Sequence, residues 1–141
     1  MIAIIRIRGL VGLDRDVKET FNRINLNKKY SCTVFVEPTR EQLGMIKKLR
    51  NFIAFGEITK DAFEKLIETR AQLIDKTKKI EAKKIIEELE KGKRYNELNL
   101  KPLFRLHPPR KGIESKKHFG VGKGVLGNHG KEINKLLERM L

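Results

Sequence analysis

The sequence has few of the features that mark secreted or membrane-spanning proteins. Its 141 residues include a single cysteine, so no internal disulfide can form, which fits a reducing compartment. No apolar run approaches the roughly 20 residues that a membrane-spanning helix needs. The N-terminal stretch MIAIIRIRG is too short for a signal peptide. Tryptophan is absent, and 7 Phe and 2 Tyr are too few for a broad aromatic stacking surface.

Negative charge is also scarce. The chain has 18 Asp and Glu against 32 Lys and Arg, for a formal net charge of +14. A nucleic acid is the usual partner of such a chain, and a membrane surface is the weaker alternative. Residues 59–100 are nearly balanced, whereas residues 101–130 carry 7 basic side chains and 1 acidic one. The excess charge therefore lies mainly in a Gly- and Pro-rich segment, where it suits contact with a phosphate backbone.

The first 58 residues predict a small α+β unit. Ile-, Val- and Phe-rich segments favour strands, and apolar residues spaced three and four apart favour helices. The expected order is strand 2–8, helix 16–25, strand 31–37, helix 39–50 and strand 52–58. Asp16 with Glu19, and Thr39 with Gln42, have the spacing of capping boxes. So small a unit has little surplus stability, and we expect it to depend on the residues that follow.

The remainder, residues 59–141, is expected to form a helical and basic extension packed on this core. Thr59 can cap a helix that carries apolar residues as far as Ile74, and a second helix is predicted from about Ile80 to Lys91. We interpret this pair as a solvated hairpin, with partner binding as the alternative. A last helix is predicted over 131–141. Cys32, within SCTVFV, is expected to be a buried structural thiol.

The segment HFGVGKGVLGNHGK, residues 118–131, does not predict a nucleotide-binding enzyme. Glycines 122, 124 and 127 match G-x-G-x-x-G, but no strand is predicted before them and only 14 residues follow. The Walker A pattern fails because Gly124 follows Lys123 where Ser or Thr is required. The three histidines lack metal-ligand spacing. We therefore expect no catalysis, no cofactor, no metal and no small-molecule substrate.

Several segments together resemble a known family. PTREQLGMIKKLRNFIAFGEI (38–58), FRLHPPRKG (104–112), GVLGN (124–128) and INKLLERML (133–141) resemble the L thirty family of large-subunit ribosomal proteins, called L seven in eukaryotes. The resemblance covers essentially the whole chain, and it is to the longer archaeal and eukaryotic form. The chain length and the lack of a long basic N-terminal extension favour the archaeal type.

The resemblance implies a fold and a function. The fold would be a three-stranded antiparallel sheet with its first strand central and two helices on one face. The function would be that of a structural, non-enzymatic component of the large ribosomal subunit in the cytoplasm. Its partner would be ribosomal RNA, with neighbouring ribosomal proteins as possible further contacts. A small ferredoxin-like regulatory domain and a chromatin protein that binds DNA are the alternatives left open.

The candidate RNA-binding residues are cations of the core and the extension, with one histidine and one asparagine: Arg6, Arg8, Lys47, Lys48, Arg50, Arg105, His107, Arg110, Lys111, Lys116, Lys117, Lys123 and Asn128. Arg105, Arg110 and Asn128 match the family's tail motif. The assignments of Lys116, Lys117 and Lys123 rest on charge alone. We expect the glycines to let an extended basic segment follow folded RNA, with no requirement for order in its absence.

Overall fold

The computed structural model describes residues 1–79 and 81–141. In chain order the described elements are β1 (Ile2–Arg6), α1 (Arg15–Arg23), β2 (Ser31–Phe35), α2 (Arg40–Leu49), β3 (Ile53–Glu57), α3 (Lys60–Arg70), α4 (Ala82–Glu90), β4 (Phe104–Arg105), β5 (Ser115–His118), β6 (Gly124–Asn128) and α5 (Ile133–Met140). Short 3-10 turns lie at Tyr95–Leu98 and Gly130–Glu132. The fold is α+β, as the sequence predicts.

The sheet has the order β4-β2-β1-β3-β6-β5. β1 lies between β2 and β3 and is antiparallel to both, with Ile4 opposite Thr33 and Phe55. This confirms the expected central strand. The expectation of three strands was incomplete, because residues 101–130 add three more. β4 pairs with β2, β6 runs parallel to β3, and β5 forms the outer edge.

The added strands lack the signals that predicted the first three, because β4 and β5 are shorter and β6 contains glycine, which weakens a strand pattern. β4 has only two residues, and β6, with the sequence GVLGN, has glycine at its first and fourth positions. The glycine at position 124 is required by a close approach of the chain to itself. A Cβ there would overlap the carbonyl oxygens of Lys117 and His118. Gly124 thus serves packing within the protein.

Both faces of the sheet are covered. Because side chains alternate along a strand, Ile4 and Ile5 of β1 point to opposite faces. Ile4 belongs to a cluster with Phe21 of α1 and Leu49 of α2, which confirms two helices on one face. Ile5 belongs to a larger cluster that contains residues of α3, α4, α5 and β6. The extension therefore supplies the second hydrophobic layer that the small N-terminal unit was expected to need.

The helix boundaries follow the capping predictions in part. Thr39 accepts a hydrogen bond from the Gln42 amide at 3.3 Å, and the Gln42 side chain accepts one from the Thr39 amide at 2.9 Å, which confirms that capping box. Thr59 caps α3 through the Ala62 amide. The prediction for Asp16 was wrong: α1 begins one residue before it, and its N-cap, Asp14, makes no side-chain capping bond.

Two further expectations need correction. α3 ends at Arg70 and does not extend to Ile74, because Leu73 forms an isolated antiparallel bridge with Leu100. The expected start of the next helix, Ile80, lies outside the described residues, and α4 is seen from Ala82 to Glu90. The last helix begins at Ile133, after a 3-10 turn.

Candidate nucleic-acid interface

One end of the sheet gathers loops from distant parts of the sequence. The strand pairing places the ends of β1 and β4 beside the beginnings of β2, β3 and β6. We call this region the basic end and define it as residues 8–13, 27–30, 50–52, 105–112 and 115–123. Segments separated by more than a hundred residues thus lie at one end of the molecule.

The basic end carries many cations without an acidic partner. Among the ion pairs of the described residues, none involves Arg8, Lys28, Lys29, Arg50, Arg105, Arg110, Lys111, Lys116 or Lys117. All are exposed except Arg8, which is half-buried. Lys123 is 3.0 Å from Glu114. Such a concentration of one sign of charge raises the local positive potential.

The lysines within α3, α4 and α5 behave differently, because each of them lies in an ion pair. Lys60 lies 2.7 Å from Glu90 of α4, and Lys65 lies 3.3 Å from Glu138 of α5. Exposed pairs of this kind stabilise a protein little, but they neutralise the local field. The basic end therefore differs in its charge from the surface formed by α3, α4 and α5.

Residues 105–112 form a strap that is hydrogen-bonded along its length. The Leu106 amide donates to Tyr30 O at 2.9 Å, and the Arg110 amide donates to Arg139 O at 2.9 Å. The Arg139 guanidinium donates to Arg110 O at 2.9 Å and to Gly112 O at 2.6 Å. These bonds fix the backbone across the C-terminal end of α5 and leave the Arg105 and Arg110 side chains exposed. A surface held in this way loses less conformational entropy when it binds.

The arm formed by β5 and the loop to β6 is tied to the rest of the basic end. The Nε2 of His118 is 2.9 Å from Oδ1 of Asn51, in the turn before β3. The Phe119 ring lies against His129, with centroids 4.3 Å apart. Burial lowers the pKa of His129, although its hydrogen bond to Val125 O and the nearby Glu132 oppose that shift. The neutral ring is therefore a packing element under the arm.

Residues 2–53 match the sequence model of the family "Ribosomal protein L30p/L7e". Over almost its whole length the chain is also similar to archaeal proteins named "Large ribosomal subunit protein uL30". It is 36% identical to the Archaeoglobus fulgidus protein over an alignment 155 residues long, which covers 99% of each chain. The chain belongs to the L30p/L7e family. The proteins of Methanoregula boonei and Methanosphaera stadtmanae are each 36% identical, with 99% and 100% of both chains covered.

Membership of the L30p/L7e family confirms the resemblance and its archaeal character, and it sets aside the regulatory-domain and chromatin alternatives. No group of three or more His, Cys, Asp or Glu side chains within the described residues could hold a metal ion. None of the helices in the described parts of the chain has the length and apolar character that a membrane crossing requires.

Arg6, one of the candidate RNA-binding residues, is buried in this L30p/L7e fold. Its guanidinium donates to Leu26 O at 2.7 Å, Arg8 O at 3.0 Å and Gly9 O at 3.1 Å, and it lies 4.0 Å from the centre of the Phe21 ring. All three of its nitrogens are used inside the protein, so the structure conflicts with a direct RNA contact. The sequence carried a signal, since Arg6 shares a strand face with the apolar Ile4.

Asn128 also has a local structural role. Its Oδ1 accepts a hydrogen bond from the Gly130 amide at 2.9 Å, and it lies at the end of β6 away from the basic end. Lys47 and Lys48 lie in the last turn of α2, and Lys48 is 3.8 Å from Asp16. The structure brings the remaining candidates together and adds Lys28 and Lys29. These two were not among the residues predicted from the sequence, although they form an adjacent basic pair before β2.

Proposed function

We propose that this chain is a structural, non-enzymatic constituent of the large ribosomal subunit that binds ribosomal RNA through its basic end. The family and the names of the archaeal relatives support the ribosomal assignment. The observation that carries the RNA contact is the group of unpaired cations gathered on loops that hydrogen bonds hold in place. The ribosome is where the protein acts.

The chemistry of the contact follows from the side chains. Each Lys or Arg that neutralises a phosphate releases condensed counterions, so affinity falls as salt rises. An arginine can bind a phosphate through two parallel hydrogen bonds, which suits Arg105 and Arg110 on the rigid strap. The exposed lysines of β5, Lys116 and Lys117, add charge with less geometric demand. These contacts position the protein on folded RNA without reading its sequence.

The proposal assigns different roles to the two parts of the chain. Residues 1–58 form the RNA-binding core, and residues 59–141 form the extension that packs on this core and adds contacts to RNA. β4 and β6 make the extension part of the same sheet, and its Phe104 and Leu126 are buried in the core. Deleting residues 101–130 would therefore remove core residues together with charge. Substitution of single charges is the cleaner test.

The experiment compares two matched sets of five substitutions to Gln. The first set removes strap and arm cations: Arg105, Arg110, Lys111, Lys116 and Lys117. The control set removes cations in and just after α4: Lys83, Lys84, Lys91, Lys93 and Arg94. Binding to purified large-subunit ribosomal RNA is measured at several salt concentrations. The first set should reduce the slope of log affinity against log salt by about 0.7–0.9 for each lost phosphate contact.

The control set should leave that slope nearly unchanged, and thermal melts of both variants should resemble the wild type. Equal losses from the two sets would remove the role assigned to the basic end. A sucrose gradient of cell lysate tests the assignment itself, since the protein should sediment with large subunits. Recovery in the unbound fraction at low salt would contradict it. Competition between duplex DNA and ribosomal RNA should favour the RNA.

A further inference from the structure

The basic end also carries apolar side chains in the open. Val11 is 99% exposed and Leu10 is 57% exposed, both in the loop between β1 and α1. Phe119 and Val121, at 44% and 57%, lie in the loop between β5 and β6. Four of the six large exposed apolar residues among the described residues thus lie at the basic end. Adjacent exposed apolar side chains on a functional surface indicate a contact site.

Hydrogen bonds anchor the chain that leads into the loop of Leu10 and Val11. The Ile7 and Arg8 amides both donate to Phe52 O at 3.1 Å, and the Arg6 guanidinium binds the carbonyls of residues 8 and 9. Gly12 closes the loop with a φ of 72°, a conformation that glycine adopts without strain. The two apolar side chains therefore follow directly on an anchored segment of backbone, which limits the entropy cost of a contact.

The charges around the loop indicate which partner it contacts. Arg8, Lys28, Lys29 and Arg50 lie at the same end of the sheet, and none of them is in an ion pair among the described residues. A second copy of this chain would bring like charges together at that surface. Folded RNA instead presents phosphates for the cations and, where bases are unpaired, flat apolar faces beside those phosphates.

We propose that Leu10 and Val11 pack against unstacked bases of ribosomal RNA, while the neighbouring cations bind its phosphates. This inference rests on the proposed function and goes beyond it. It assigns base contacts to a loop of the N-terminal unit, outside the extension of residues 59–141. An apolar contact and a phosphate contact differ in their salt dependence. Loss of a phosphate contact reduces the salt slope, whereas loss of an apolar contact lowers affinity equally at every salt concentration.

The test is the double substitution L10S and V11S, with I74S as the matched control. Ile74 is 50% exposed and lies outside the basic end, so its loss serves as the reference for removing an exposed apolar side chain. The probe is purified large-subunit ribosomal RNA, titrated at several salt concentrations. The double variant should bind about tenfold more weakly with an unchanged salt slope, the factor expected if RNA covers roughly half of the two side chains. I74S should bind as the wild type does.

The outcomes separate this inference from the function it rests on. If the wild-type protein fails to bind large-subunit RNA, the proposed function fails. If the wild type binds and the double variant binds equally well, the loop makes no base contact and the inference is overturned. It is also overturned if the variant binds free RNA normally but is lost from assembled subunits, because the loop would then contact a protein. Thermal melts of the variants should match the wild type, since exposed side chains contribute little to stability.

Discussion

Replacing Arg6 by methionine tests the buried network that shapes the basic end. Methionine has a similar length and can remain packed against Phe21, but it cannot donate hydrogen bonds. The substitution therefore removes the three bonds to Leu26 O, Arg8 O and Gly9 O and the contact of the guanidinium with the aromatic ring. The change isolates the polar role of the side chain from its volume.

The expected change in the free energy of unfolding depends on which of the three carbonyl groups can form hydrogen bonds with water in the variant. The Leu26 carbonyl lies in a buried bond, so its loss costs about 1.5–3 kcal/mol as a bond from a charged donor. The Arg8 and Gly9 carbonyls are partly buried, and water replaces much of what they lose. The cation–π contact adds about 1 kcal/mol. Burying the charged guanidinium costs free energy, and this burial also lowers the pKa of Arg6. The neutral methionine avoids that cost, which offsets part of the loss. We expect a net destabilisation of about 2–3 kcal/mol.

The assay is urea and thermal unfolding of the RNA-free protein, with Arg105→Met as the control. Arg105 is exposed on β4 and makes none of these interior bonds. For a chain of this length, a loss of about 2–3 kcal/mol lowers the melting temperature by roughly 5–10 °C. The control should shift the melting temperature by less than about 2 °C, as surface substitutions usually do. Equal shifts in the two variants would refute the assignment of Arg6 to the interior.

Three further predictions concern other buried positions. Because burial lowers the pKa of His129 below its ordinary value of 6.5, the unfolded chain takes up the proton more readily. The contribution of His129 to stability should be complete above about pH 6.5 and should be lost as the pH falls below it. Urea midpoints measured from about pH 7.5 to 5 should therefore fall less in His129→Gln than in the wild type. The exposed control His107→Gln should show the same fall as the wild type. Gly124→Ala should destabilise by about 2 kcal/mol or more through overlap with carbonyl oxygens, whereas Gly44→Ala, in the open on α2, should stabilise by about 0.5–1 kcal/mol in the same melts. Burial raises the pKa of the Cys32 thiol to about 12, so thiol reagents should label it only at the rate of unfolding.

The outcomes that would contradict these predictions are direct. A pH profile of His129→Gln that matches the wild type would remove that histidine from the acid response. A Gly124→Ala variant as stable as the wild type would mean that the β5–β6 loop moves aside at little cost. Fast labelling of Cys32 in the folded protein would show that β2 opens readily.

Local features of the sequence determined the first half of the fold. The Ile-, Val- and Phe-rich segments specify β1, β2 and β3 through the spacing of their side chains, and the capping pair Thr39 and Gln42 fixes the start of α2. The concentration of cations in 101–130 was also evident from the sequence, and the segments matching the ribosomal family indicated the function. Each of these features depends on residues close together in the chain.

The tertiary structure alone decided where the charges lie and which of them are free. Arg105 and Lys29 share one end of the molecule because the backbones of Leu106 and Tyr30 are hydrogen-bonded, a contact across 76 positions of sequence. Arg6 is enclosed because α1 packs over β1 and places Phe21 against its guanidinium. Periodicity and composition do not predict such pairings, because strand register and helix packing join residues that are far apart in the chain. Short-range patterns therefore specified the local elements and the total charge, and long-range pairing brought the charges together on one basic surface.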